Sequence, residues 1–126
     1  MGKNIHIALD FDSTLVEHES GGDLTIGKPI KPMVEQVKQW VAKGYDITIF
    51  TARVSKWFKS GEVRPESFKQ KQRELICQFL VENELQCMFP VLITADKSPR
   101  FTHFVDDKAV KVIPNKGIII TTDGDL

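Results

Sequence analysis

Residues 5–12 have the sequence IHIALDFD, which joins a strand pattern to the first candidate site residues. The five residues before Asp10 form a short, mostly apolar run, which is typical of a buried strand. Four later runs have the same character, at 47–50, 91–93, 102–105 and 118–120. The chain is therefore predicted to contain five strands.

Two amphipathic helices are predicted between the first three strands. Pro32 suits the first position of one helix, which Gly44 is suited to end. Pro65 begins the other helix, whose apolar stripe includes Phe68 and Leu80. Strands separated by helices predict right-handed βαβ units. The predicted fold class is therefore α/β, a Rossmann-like three-layer sandwich with a central, mostly parallel five-stranded sheet.

Length and composition limit the class of protein. The 126 residues, 41% hydrophobic and 27% charged, suit a soluble globular chain with a single domain over residues 1–126. Equal numbers of basic and acidic residues, 17 each, argue against a protein that coats nucleic acid. No apolar run approaches the ~20 residues of a membrane span. We therefore expect no membrane partner. Two cysteines are too few for a disulfide framework, so we expect a cytoplasmic protein.

Polar side chains follow four of the predicted strands. They are Asp10 and Asp12 after the first, Thr51 after the second, Asp96 and Lys97 after the third, and Asp106 and Asp107 after the fourth. Because parallel strands end at one edge of a sheet, these groups are expected to converge there. Clustered carboxylates need a cation to stay ionised together, and an oxygen-only ligand set suits Mg²⁺. Mg²⁺, a lysine and a hydroxyl together suit the oxygens of a transferred phosphoryl group.

Four segments resemble, in the same order, the motifs of the haloacid dehalogenase superfamily of phosphohydrolases. The matching residues are IALDFDSTL at 7–15, ITIFT at 47–51, Lys97, and FVDD at 104–107. The resemblance covers residues 5–107 and is greatest to the small, capless branch found in bacterial and phage proteins, in which residues 106–117 also have close counterparts. The sequence departs from the family at Ser13, where the family commonly has glycine.

The resemblance implies a Mg²⁺-dependent phosphatase that hydrolyses a phosphomonoester through an aspartyl-phosphate intermediate. Asp10 would be the nucleophile, and Asp12, two residues later, would be the general acid and base. The implied phosphoryl-binding residues are Thr51 and Lys97. Ser13, and Arg53 two residues after Thr51, are further candidates for phosphoryl binding. The implied metal ligands are the Asp10 carboxylate, the main-chain carbonyl of Asp12 and one acid of the fourth motif, with Asp107 preferred for direct contact and Asp106 for contact through water.

No interval in the chain has room for a cap domain of ~50 or more residues, so the site should be open. Residues 13–28 are predicted to form a flap-like loop or small hairpin, and residues 52–64 a polar, basic connection. An open site suits the terminal phosphate of a macromolecule or closure by a partner subunit. Nothing in the sequence indicates an oligomer.

A basic stretch over residues 53–73 has two interpretations, which imply different classes of substrate. It holds seven basic residues and two acidic ones, with Trp57 and Phe58 among them. One interpretation is a rim that attracts a nucleotide or polynucleotide end, and the other is a solvated loop and helix face. The expected partner is therefore a phosphorylated substrate, either a small molecule or a nucleotide or nucleic-acid end. A catalytically weak phosphate-binding or scaffold module is the remaining alternative.

Overall fold

A parallel sheet of four strands forms the centre of the protein. The structure is a computed structural model that describes residues 5–18, 24–85, 92–107 and 111–120. Its first elements are, in chain order, β1 (His6–Leu9), α1 (Lys31–Ala42), β2 (Asp46–Phe50), a short 3-10 helix (Ala52–Val54), α2 (Glu66–Glu82), β3 (Leu92–Thr94) and β4 (His103–Val105). The strand order is β3-β2-β1-β4, and each neighbouring pair is parallel. The predicted Rossmann-like α/β fold class is confirmed at this level. Residue 91 of the predicted third strand lies outside the described residues.

Both helices begin within a residue or two of the prolines that predicted them. Pro32 lies in the first turn of α1, and Pro65 immediately precedes α2. The helices bury apolar side chains in one core with alternate residues of β1 and β2. These residues are Val34 and Val37 of α1, Ile76, Phe79 and Leu80 of α2, Ile7 and Leu9 of β1, and Ile47 and Ile49 of β2. Alternate strand residues share one face, so α1 and α2 cover the same face of the sheet. Neither helix is long and apolar enough to cross a membrane.

The opposite face of the sheet carries aromatic rings. Phe101 lies edge-to-face against three rings, those of His6, Phe50 and Phe104, with centroids 5.1, 5.9 and 5.7 Å away. Ala8 and Thr48 alternate with the core residues and therefore point to this face, where both are buried. In the described chain, this face is therefore covered by rings rather than by a helix.

The direction of the chain across the sheet explains this asymmetry. Right-handed crossovers from β1 to β2 and from β2 to β3 proceed the same way across the sheet, so they place both helices on one side. The connection from β3 to β4 returns to the far side of β1, and its residues 95–102 contain no helix. The expected three-layer sandwich therefore has one helical layer within the described residues.

The predicted fifth strand forms, but outside the parallel sheet. β5 (Lys111–Ile113) and β6 (Ile118–Ile120) pair antiparallel as a separate two-stranded sheet. The turn between them has positive φ at Asn115, 64°, and at Gly117, 67°. Parallel pairing needs a crossover of about a dozen residues or more, whereas a turn this short permits only an antiparallel hairpin. The expected five-stranded sheet is therefore wrong, because among the described residues the parallel sheet has four strands and residues 118–120 lie in a separate sheet.

The described parts of residues 13–28 fold as a small hairpin-like loop. Val16 forms an antiparallel bridge with Pro29, and the N–H of Glu17 donates to the carbonyl of Lys28 at 2.8 Å. A Cβ atom on Gly27 would lie 1.9 Å from the carbonyl oxygen of Glu17, so this close approach requires glycine. Residues 19–23 of the predicted flap lie outside the described residues.

Candidate functional site

Three aspartates converge where β1 and β4 end. β1 and β4 are neighbours, and the N–H of Asp10 extends their pairing by donating to the carbonyl of Val105 at 2.9 Å. Asp106 and Asp107 follow β4 directly, so they reach the same edge of the sheet as Asp10. One carboxylate oxygen from each of the three aspartates lies within 4.8 Å of the others. The structure therefore brings together the acids of the first and fourth motifs, and we call these three residues the acidic cluster.

Ionisation of the Asp10 carboxyl is disfavoured by its surroundings. Burial raises its pKa from the ordinary 3.8 to about 6, with further contributions from repulsion by Asp106 and a hydrogen bond with Asp107. The main-chain N–H of Phe11 and the hydroxyl of Thr14 act in the opposite direction, because each donates to the ionised carboxylate. The Thr14 hydroxyl lies 3.2 Å from Asp10 Oδ2. A bound cation would relieve the repulsion that remains.

The donor chemistry of the acidic cluster fits a hard divalent cation. Asp10 is partly buried, and Asp106 and Asp107 are exposed, so the cluster is open to solvent on one side. All three side chains offer carboxylate oxygens, which suit Mg²⁺ better than softer metals. Mg²⁺ usually keeps several waters and binds only one or two protein carboxylates directly, and an open cluster permits this arrangement.

The Asp12 carboxylate is engaged by Arg53. Arg53 Nε donates to Asp12 Oδ2 and Arg53 Nη2 to Asp12 Oδ1, both at 2.8 Å. The same guanidinium donates to Gln72 Oε1 at 3.0 Å and to the carbonyl of Thr25 at 2.9 Å. It also lies over the ring of Phe11, 5.7 Å from the centroid. Arg53, expected among the phosphoryl-binding residues, thus holds the second aspartate of the first motif.

Thr51 and Ser13 lie at the same edge of the sheet as the acidic cluster. Thr51 is buried directly after β2, next to β1 in the sheet, and its N–H donates to the carbonyl of Thr94 at 2.8 Å. Its hydroxyl oxygen accepts the N–H of Arg53 at 3.2 Å, which leaves the hydroxyl proton available to a ligand. Ser13 is exposed, and its φ is 65°, in the left-handed region. The position at which the family commonly has glycine is therefore a position at which the backbone favours glycine.

Lys97 lies on the exposed segment that follows β3. Its Nζ is 5.6 Å from the centroid of the Phe104 ring, on the face of the sheet that carries the aromatic residues. Within the described ranges, no ion pair joins Lys97 to the acidic cluster. The neighbouring Asp96 is also exposed, and its N–H donates to the hydroxyl of Thr94, which fits the end of a strand. Lys97 and Ser13 are the predicted site residues that no described polar contact joins to the others.

Two site residues were missed by sequence reasoning, Thr14 and Gln72. Thr14 belongs to the first motif, and its spacing of four residues from Asp10 was the available signal. Gln72 is fully buried on α2. It lies four residues from both Phe68 and Ile76, so it is a polar residue within the apolar stripe of the helix. A buried amide in such a stripe requires a polar partner, which here is Arg53.

Most of the basic stretch is engaged in local packing. The Arg64 guanidinium donates to the carbonyl of Ala52 and to the hydroxyl of Ser55. It lies 5.1 Å from the Phe58 ring centroid and 5.7 Å from that of Phe68. On α2, Lys69 and Arg73 both pair with Glu66, at 3.1 and 2.9 Å. Lys56 and Lys59 are exposed, and Lys56 Nζ lies 5.1 Å from the ring of Trp57, which is itself 52% exposed. The exposed cations of the basic stretch are thus Lys56 and Lys59, near Trp57, and Lys71 on α2.

Comparison with known proteins supports the fold. No protein-family model matches the chain, and a comparison with the curated proteins also gave no match. A solved structure of a conserved protein from Bacteroides thetaiotaomicron is similar, with a TM-score of 0.51 and 21% sequence identity. The similarity covers 90% of this chain and 84% of the other. At this identity it shows a shared α/β fold.

Proposed function

We propose that this protein is a Mg²⁺-dependent phosphatase that hydrolyses a phosphomonoester through an aspartyl-phosphate at an open, capless site. The observation that carries the proposal is the convergence of Asp10, Asp106 and Asp107, one oxygen from each lying within 4.8 Å of the others. The four motifs that resemble those of the haloacid dehalogenase superfamily support it, because their strand ends meet at one edge of the sheet.

Asp10 is the nucleophile in this proposal. An oxygen of its carboxylate attacks phosphorus, a new O–P bond forms, and the bond to the leaving oxygen breaks. The side chain is held by the Phe11 N–H and the Thr14 hydroxyl, which fix its orientation and favour its ionised form. Asp12 supplies a proton to the leaving oxygen and removes a proton from the attacking water in the following step.

The remaining residues bind the transferred group. Asp10, Asp107 and the main-chain carbonyl of Asp12 would hold Mg²⁺, with Asp106 assisting through water, and the ion would supply positive charge for the phosphoryl oxygens. Thr51 offers a hydroxyl donor at the end of β2, and Ser13 offers its own hydroxyl from the loop after β1. Lys97 reaches the phosphoryl group from its exposed segment through its flexible side chain.

A nucleotide or nucleic-acid end is the second candidate substrate class. Trp57 is 52% exposed with Lys56 beside its ring, an arrangement on which a base can stack while the lysine attracts phosphate. This candidate uses the same chemistry as the first and differs only in the substrate that the open site accepts.

Hydrolysis of p-nitrophenyl phosphate tests the proposal. We expect turnover with Mg²⁺, none with excess EDTA, and none in Asp10→Asn, because an amide cannot act as the attacking carboxylate. Asp46→Asn is the matched control, since Asp46 is exposed at the start of β2, at the opposite edge of the sheet. Binding of inorganic phosphate without turnover by the wild-type protein would show a phosphate-binding module instead.

A further inference from the structure

We infer that Arg53 is a positioning residue for Asp12 and not a direct ligand of the phosphoryl group. The inference rests on the proposed function, because it assigns the role of Arg53 within that reaction. Arg53 binds both oxygens of the Asp12 carboxylate in a fork, each contact at 2.8 Å. A bidentate pair of this kind fixes the orientation of both side chains as well as joining their charges.

The Arg53–Asp12 pair is built into the interior, unlike a typical surface ion pair. The side chain of Arg53 is only 12% exposed and that of Asp12 33% exposed. Arg53 is held from behind by the fully buried Gln72 and by the carbonyl of Thr25. Four segments meet in this contact, namely the loop after β1, the 3-10 helix, α2 and the hairpin-like loop. Such support restricts Arg53 to one arrangement, as a catalytic side chain's positioning partner requires.

The geometry also makes direct phosphate binding by Arg53 unfavourable. An arginine grips a phosphoryl group best through the same planar fork of N–H donors that here binds Asp12. Releasing this fork would leave a partly buried carboxylate without its partner, which is costly. Thr51 can offer its hydroxyl to the phosphoryl group without breaking such a contact. The structure therefore points to Arg53 acting through Asp12.

The inferred role is to fix the direction of the Asp12 carboxylate oxygens for proton transfer. In the second half of the reaction, Asp12 is the group that accepts a proton from water. A water O–H gives its proton to Asp12, the water oxygen bonds to phosphorus, and the bond from phosphorus to the Asp10 oxygen breaks. Asp10 is released as a carboxylate together with inorganic phosphate. The proton now on Asp12 is the one that the next leaving oxygen takes, so atoms and charge balance over the cycle.

A double-mutant cycle on Asp12→Asn and Arg53→Gln tests the inference with p-nitrophenyl phosphate. We expect each single variant to lower kcat by about 10²-fold, and the double variant to be no slower than Asp12→Asn alone. Because nitrophenolate leaves without a proton, phosphorylation of Asp10 should persist and hydrolysis should slow. A burst of about one equivalent of nitrophenolate per protein should therefore appear in Asp12→Asn and in Arg53→Gln. Arg53→Lys should restore little, because an ammonium cannot form the fork.

Binding of inorganic phosphate, measured by calorimetry in Mg²⁺, separates this role from phosphate binding. We expect the dissociation constant of Arg53→Gln for inorganic phosphate to stay within about twofold of the wild-type value, whereas KM for p-nitrophenyl phosphate should fall together with kcat, because hydrolysis of the aspartyl-phosphate then limits turnover. Arg73→Gln is the matched control, because it removes an arginine from an ion pair on the outer surface of α2. Weaker phosphate binding in parallel with lost activity, or additive effects of the two substitutions, would overturn the inference. An inactive wild-type protein would instead refute the proposed function.

Discussion

At the scale of single residues, the ionised Asp10 carboxylate destabilises the folded protein, because the carboxylate is partly buried and lies near the charge of Asp106. Its pKa of about 6 in the folded protein exceeds the ordinary value of 3.8, so between these values the folded state binds more protons than the unfolded state. The free energy of unfolding of the metal-free protein should therefore fall as pH rises from about 4 to about 6. At lower pH the carboxyl is protonated in both states, and the penalty disappears.

This penalty predicts that Asp10→Asn is more stable than the wild-type protein at pH 7 in EDTA. We expect a gain of about 1 kcal/mol, a value reduced for solvent screening at a partly buried group, and no gain at pH 3. Thermal unfolding at both pH values measures it, and Asp46→Asn should show no comparable gain. A loss of stability in Asp10→Asn at pH 7 would contradict the electrostatic account.

Ser13 has a backbone conformation that is unfavourable for a residue with a side chain. Because its φ is 65°, Ser13→Gly should raise the free energy of unfolding by up to about 1 kcal/mol, and Ser13→Val should lower it by about 1–2 kcal/mol. Urea unfolding measures both changes, and the slope of the transition should not change. Equal stability of the valine variant would show that the loop adopts another conformation in solution.

At the scale of elements, α2 carries the support of the candidate site through Gln72. Replacing this buried amide by leucine removes the hydrogen bond that Gln72 Oε1 accepts from Arg53, so Gln72→Leu should destabilise the protein by about 1–3 kcal/mol. Gln78→Leu on the exposed side of the same helix removes only a contact with Glu82 and should change stability by less than about 0.5 kcal/mol. Chemical unfolding measures the free energy of unfolding of both variants. Equal losses in the two variants would contradict a supporting role for Gln72.

The sequence predicts some elements better than others. It predicts features that neighbouring residues determine, and it does not predict features that depend on distant residues. Pro32 and Pro65 fix the starts of α1 and α2, because proline is tolerated only at a helix start and its ring conformation acts on its immediate neighbours. Residues 118–120 were correctly predicted as a strand, but their apolar run does not specify a partner. Their antiparallel pairing with residues 111–113 follows from the short turn between the two strands, which the apolar run does not encode.

The sequence predicts which site residues lie at the ends of the strands, but not which side chains they contact. Asp10, Thr51 and Asp106 follow apolar runs, so the rule for parallel sheets places them at one edge. The fork between Asp12 and Arg53 joins residues 41 positions apart, and no local pattern encodes which donor a carboxylate will meet at that distance. Side-chain partners across elements therefore required the structure.

At the scale of the whole molecule, the balanced charge restricts electrostatic steering to local features. Lys56 and Lys59 are the exposed cations around Trp57, and their field is screened beyond ~8 Å at physiological salt. If the substrate is a nucleic-acid end, replacing both by alanine should lower kcat/KM for a 3′-phosphorylated oligonucleotide several-fold at low salt. The same variant should barely change the hydrolysis of p-nitrophenyl phosphate.

A charge-matched control separates steering from a general change in net charge. Lys38→Ala with Lys43→Ala also removes two cations, and Lys43 follows the last turn of α1, at the edge of the sheet away from the acidic cluster. We expect this control to leave kcat/KM for the oligonucleotide unchanged. Equal losses in both double variants, or none in either, would show that the segment around Trp57 is a solvated surface without a role in substrate choice.

The pairing of β1 with β4 makes the acidic cluster a late product of protein synthesis. The N–H of His6 bonds to the hydroxyl of Thr102 across 96 residues, and Asp106 and Asp107 come later still. At about 5–20 residues per second, the ribosome needs roughly 5–20 s to progress from Asp10 to Asp107. During that interval one edge of β1 has no strand to pair with and is open to other nascent chains. The proposed phosphatase activity would thus appear only after β4 has joined the sheet, and a prematurely terminated chain would be both inert and prone to aggregation.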